Sequence, residues 1–88
     1  MILNNRRIGK FSISIEVINE NPKLILEVMS RVIVVKAELI AYRDEVEYHG
    51  ISQEFDTIAR GSMIPEYKIV ITDLEGKIDV AFRRSRND

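Results

Sequence analysis

From Val32 onward the chain alternates with a period of two. Ile33, Val35, Ala37, Leu39 and Ala41 make an unbroken apolar face, and Val32, Val34, Ile40 and Tyr42 share the other face with Lys36 and Glu38. After Arg43-Asp44-Glu45 a second alternating run, Val46 to Ser52, follows, so residues 32 to 52 read as a long β-hairpin that is apolar on both faces. The turn has no glycine, which leaves its type and the register open. A two-residue loop places Val46, Tyr48 and Gly50 on the clean apolar face and Glu45, Glu47 and His49 on the mixed one, whereas a three-residue loop exchanges them. The first is favoured, because it gathers the polar side chains near Glu38 and Lys36.

Upstream, Ile8 to Val17 alternates as a strand with one wet face: Phe11, Ile13, Ile15 and Val17 point one way, Lys10, Ser12, Ser14 and Glu16 the other. Asn19-Glu20-Asn21-Pro22 breaks it. Asn21 can cap the free amides of a helix and Pro22 suits its first position, where no amide partner is needed. Leu24, Ile25, Val28 and Met29 recur at helical spacing, and the helix should end near Ser30 as β-branched residues take over. Downstream, residues 51 to 65 are irregular, and loops of that length in small domains are often functional. Glu66 to Asp73 and Lys77 to Arg83 read as a second hairpin around Asp73-Leu74-Glu75-Gly76, in a register that sets Val70 opposite Val80 and makes this hairpin apolar on both sides too.

The expected fold is therefore α+β, one domain over residues 1 to 88 in the order β-α-β-β-β-β: a mostly antiparallel sheet of about five strands with one short helix on one face. A nine-residue helix is about 14 Å long, while five strands span roughly 20 Å. Such a helix covers part of one face only. A second copy of the chain is the expected cover for Val32, Val34, Ile40 and Tyr42, which predicts a homo-oligomer.

Composition narrows the chemistry. With 45% hydrophobic and 31% charged residues in 88, the chain has the balance of a folded globular domain, in a size range where oligomerisation commonly adds stability. It has no cysteine and a single histidine, His49, so neither a disulfide framework nor a cysteine or zinc site is expected, and no cofactor is implied. No apolar run approaches the length of a membrane span and Met1 to Lys10 lacks a signal-peptide core, so a cytoplasmic, membrane-free protein is expected. The net charge of −1 is unevenly spread: Arg6, Arg7 and Lys10 at one end and Arg83, Arg84 and Arg86 at the other flank an acidic middle. The basic ends, residues 1 to 7 and 84 to 88, are expected to fray.

Three constellations could carry a function. His49 with Glu47 and Glu38 has acid-base character, but no nucleophile motif accompanies it, and neighbouring strand carboxylates such as Glu45 and Glu47 are usually solvated; no enzyme and no catalytic residue is expected. The basic ends with surface aromatics could hold nucleic acid, yet a pI near 5.8 opposes that. A small anionic, nucleotide-like ligand asks for less: Arg60 beside Gly61 and Ser62, Arg83 and Arg84 for phosphate, and Phe55 or Tyr48 as a stacking wall, with His49 also among the ligand-binding candidates. The plainer reading has Phe55 and Met63 anchoring the loop while Arg60 is solvated.

The stretch Val32-Ile33-Val34-Val35-Lys36-Ala37-Glu38, with Val46-Glu47-Tyr48-His49-Gly50-Ile51-Ser52, Phe55-Asp56 and Ile64-Pro65-Glu66-Tyr67-Lys68-Ile69, resembles short phage-encoded proteins, including antagonists of host defence. That resemblance implies a non-enzymatic binder that sequesters a nucleotide-like host signal or blocks a host protein as a homo-oligomer, in the host cytoplasm. Read from the residues alone, the alternatives are a protein-interaction module working through the exposed sheet face and, third, a nucleic-acid binder using the basic termini.

Overall fold

The computed structural model describes residues 6 to 85. Strand β1 (Ile8–Ser14) leads directly into helix α1 (Ile15–Glu20) and then α2 (Pro22–Met29). Strand β2 (Ile33–Ile40), a 3-10 turn (Ala41–Arg43) and β3 (Glu45–Ile51) follow, and after a long loop β4 (Tyr67–Leu74) and β5 (Lys77–Arg84) close the chain. The fold is a small α+β domain with two antiparallel sheets, β1-β3-β2 and β4-β5. Among the described residues it therefore has two α-helices and two sheets rather than the one helix and one sheet expected. A single parallel bridge, Lys10 to Glu66, joins the sheets at the start of β4.

The extra helix begins where the sequence suggested that β1 continues. The Ser14 hydroxyl accepts the Val17 amide at 3.2 Å, an N-cap that turns the chain before Ile15. Ile15 and Val17 are consequently helical, and the alternation that extended the strand to Val17 is coincidental. The second helix starts as its sequence predicts: Asn21 Oδ1 accepts the Leu24 amide at 3.3 Å, with Pro22 in the first turn. Leu24 and Val28 are its buried residues.

In the first hairpin, Ile40 pairs with Glu45, so the loop spans Ala41 to Asp44, with Asp44 in the left-handed region at φ 54°. The loop is two residues longer than the favoured one but of the same parity. Tyr48 and Val46 accordingly share a face with Ala37 and Leu39, and with Phe11 and Ile13 of β1; His49 and Glu47 lie on the other face with Lys36 and Glu38. A bulge at Val35 interrupts the ladder between Val34 and Lys36. The second hairpin differs by one residue from its expected register. Leu74 pairs with Lys77 around Glu75 (φ 55°) and Gly76 (φ 81°), so Ile71, not Val70, faces Val80, and Val70 faces Ala81. Tyr67, Ile69, Phe82 and Val80 then share the inner face, while Lys68, Thr72, Asp79 and Arg83 line the outer one. This hairpin is amphipathic, not apolar on both sides.

The core forms where the inner faces meet. Phe11, Phe55, Val28 and Val80 are fully buried, with Ile13, Leu24, Val32 and Tyr67 around them. Phe82 ties the aromatic part together, 5.3 Å from Phe11 and 5.0 Å from Phe55 in an edge-on contact. Arg31 closes the rim, with ion pairs to Glu27 (3.1 Å), Glu54 (3.3 Å) and Asp79 (3.1 Å) that link α2, the loop and β5. The side-chain hydrogen bond to Glu27 is the main cause that holds its guanidinium above the usual arginine value.

The Ser52 amide extends the β1-β3 ladder by donating to the Arg7 carbonyl (3.1 Å), and the long loop then returns to β1: the Ile58 amide donates to the Arg6 carbonyl (2.9 Å) and the Lys10 amide to the Pro65 carbonyl (3.0 Å). Arg7 adds side-chain bonds to the carbonyls of Gln53 (3.2 Å) and Phe55 (3.1 Å). Part of the basic N-terminal end is thus built into the loop; fraying of residues 1 to 5 and 86 to 88 lies outside the described residues. No helix among the described residues is long and apolar enough to cross a membrane.

Candidate functional site

Strand order decides which surface is left open. Because β3 lies between β1 and β2, the helices that follow β1 and the β4-β5 hairpin that meets it gather at the far side of the sheet. The loop covers the β1 edge. Among the described residues, no backbone hydrogen bond outside the β2-β3 ladder involves residues 33 to 39, so β2 presents an unpaired edge. Its side chains are open as well: Ile33, Val35 and Leu39 are 51%, 53% and 58% exposed, and Ala37 is also exposed. Edge strands with this many exposed β-branched and aliphatic side chains are uncommon in isolated chains.

Ala37 and Leu39 lie on the side of Tyr48 and Val46, while beyond the bulge Ile33 pairs with Ile51 and shares the other, charged face. Glu38 stands directly across from Glu47, and Lys36 across from His49, which in turn faces Lys10 of β1. The His49 ring nitrogen Nε2 lies 3.2 Å from Glu47 Oε1. Among the described residues, no hydroxyl or thiol makes a hydrogen bond to this ring. No group of three or more His, Cys, Asp or Glu among the described residues could hold a metal ion.

The residues expected to hold an anion are scattered. Phe55 is in the core, stacked on Tyr67 at 4.4 Å, and it offers no face to a ligand. Tyr48 is half-buried against Phe11 at 5.4 Å, and burial pushes its phenol upward. Arg84 pairs with Asp56 at 3.2 Å, while Arg83 faces outward beside Lys68. Arg60 lines an open concavity of about 240 Å³ with Arg6, Ile58, Ala59, Gly61 and Ser62. Arg6, not Arg83 or Arg84, is the terminal arginine brought to Arg60. The loop-to-β1 hydrogen bonds do this, and no local pattern in the sequence announces them.

Of the residues expected at an oligomer contact, Val34 is 38% exposed and Ile40 half-buried on β2, and Tyr42 projects from the 3-10 turn with the Arg43 guanidinium 5.3 Å over its ring. Val32 is placed differently: it precedes the strand and is buried in the core. Ile33, Val35 and Leu39 take its place at the surface. The alternating pattern marked them as apolar but implied that the fold would cover them. No family model, curated protein or solved structure matches this chain.

Proposed function

We propose that this chain is a non-enzymatic binding protein that works as a homo-oligomer through strand β2. The observation that carries the reading is the exposure of Ile33, Val35 and Leu39 on a strand whose outer edge has no backbone partner among the described residues. Aliphatic side chains on an open edge stabilise nothing in the isolated chain, and their burial against another polypeptide is favourable at about 25 cal/mol per Å². The likeness of the 32–69 pattern to short phage-encoded proteins extends the reading to an accessory role, in which the assembled chain blocks a host protein.

A second reading rests on a different observation: Arg6 and Arg60 line one concavity with Gly61 and Ser62, a set that suits a small anion such as a phosphate. Two measurements separate the readings. Sedimentation velocity from low to high micromolar concentration should show species heavier than the 10.2 kDa chain, while a thermal-shift screen of nucleotides and cyclic dinucleotides leaves the melting temperature unchanged. A monomer at every concentration overturns the first reading. A nucleotide-dependent shift that Arg60→Glu abolishes establishes the second.

A further inference from the structure

Resting on the reading of β2 as the working surface, we infer that two copies pair antiparallel along β2, about a two-fold axis at Ala37, into one continuous six-stranded sheet. The order across that sheet is β1-β3-β2 in one copy followed by β2-β3-β1 in the other.

The register follows from charge. A two-fold axis perpendicular to the sheet keeps each side chain on its own face, so a residue can pair only with one of like parity. Centring on Lys36 sets lysine against lysine, and centring on Glu38 sets glutamate against glutamate. Centring on Ala37 sets Lys36 against the partner's Glu38 and Glu38 against the partner's Lys36. Ala37 then meets the partner's Ala37, with Leu39 on the same apolar face, while the bulged Val35 lies at the end of the paired stretch.

The cross-strand rows point the same way. Within one chain, Glu38 is opposed by Glu47, and Lys36 begins a row that continues through His49 to Lys10. Like charges directly opposite each other are unfavourable. Neither Lys36 nor Glu38 forms an ion pair among the described residues. In the Ala37-centred pair, the partner's Lys36 is added to the Glu38–Glu47 row and the partner's Glu38 to the Lys36–His49–Lys10 row. Each row receives the opposite sign. The same arrangement gives selectivity: a lysine on an edge strand discourages pairing with an unrelated strand, and only a chain carrying the complementary glutamate two residues on cancels it.

The test uses charge reversal at these two exposed positions, with circular dichroism to verify folding and sedimentation velocity to read assembly. Lys36→Glu alone and Glu38→Lys alone each turn two attractive pairs into two repulsive ones, which should weaken self-association by about tenfold or more. The double variant restores both pairs and should return to wild-type behaviour. Mixing the two single variants should give a heterodimer, since one chain then carries two lysines and the other two glutamates. Wild-type protein that associates while the single variants associate equally well overturns this register but leaves β2 as a contact surface. Wild-type protein that stays monomeric overturns both.

Discussion

The backbone amide of Asp56 donates a 2.7 Å hydrogen bond to the hydroxyl of Tyr67, eleven residues further on. Tyr67 is buried and its ring stacks on Phe55, so a loop amide depends on one core side chain for its partner. Tyr67→Phe keeps the stack and removes the acceptor. We predict a loss of about 1 to 2 kcal/mol in urea denaturation, with faster hydrogen exchange at the Asp56 amide. Unchanged exchange there would show that the loop is held by its other contacts.

Alkaline stability should report the buried phenols. Tyr48 and Tyr67 are both raised above the ordinary value of 10, mainly by burial. A phenol raised on folding holds its proton more tightly in the native state than in the unfolded one. Stability is therefore undiminished below about pH 10 and declines as the pH climbs from there through the folded value. The melting temperature should fall over that window, and the decline should be shallower in Tyr48→Phe. Equal slopes in the two proteins would assign the alkaline loss to other groups.

Gly50 is the third position to test. A Cβ there would collide with a methyl group of Val32 and lie 3.1 Å from the Ile33 carbonyl oxygen, at the point where the β2 bulge begins. Gly50→Ala should cost about 1 to 3 kcal/mol by forcing Val32 or the strand aside. Combining it with Val32→Ala removes the colliding methyl, so the double variant should lose less than the sum of the two single losses. Strict additivity in chemical denaturation would contradict the contact.

The β4-β5 turn can be improved. Glu75 and Gly76 both have positive φ, as a type I′ turn requires, and asparagine occupies the first such position more readily than glutamate. Glu75→Asn should raise stability by about 0.5 kcal/mol, and Gly76→Ala should lower it by about 1 kcal/mol or more. Thermal melts of the two variants, moving in opposite directions, are the check.

These contacts show where sequence pattern informs and where it runs out. The start of α2 was legible, because Asn21, Pro22 and Leu24 are neighbours and the cap is made within one turn. The end of β1 was not: Ser14 serves equally as a wet strand position and as a helix cap, and Ile13, Ile15 and Val17 satisfy both patterns over so short a span. The register of the second hairpin turned on Glu75 adopting a left-handed conformation that only its glycine neighbour advertised. The face assignment of the first hairpin held from Lys36 to Ile40, because a four-residue loop has the parity of a two-residue loop, but the bulge at Val35 reversed it beyond, setting Val34 rather than Ile33 on the face of Gly50. At the candidate surface, alternation identified every apolar side chain of β2 but not its exposure, which depends on β3 lying between β1 and β2, a pairing between distant segments. The meeting of Arg6 with Arg60 depends on equally distant hydrogen bonds.

That strand order also sets a sequence of folding events. The β2-β3 hairpin closes through a short turn, whereas β1 joins its sheet through the distant β3, from Ile8 against Ile51 to Ser14 against Glu45. During synthesis β1 is made first and then waits, with Phe11 and Ile13 without their sheet neighbours, until Glu45 to Ile51 has left the ribosome. Local pairing precedes closure of a long loop because its entropic cost is smaller. Loop-closure entropy thus favours forming the hairpin with the open edge ahead of the strand that completes its sheet, an order that would present β2 to neighbouring chains before the core has closed.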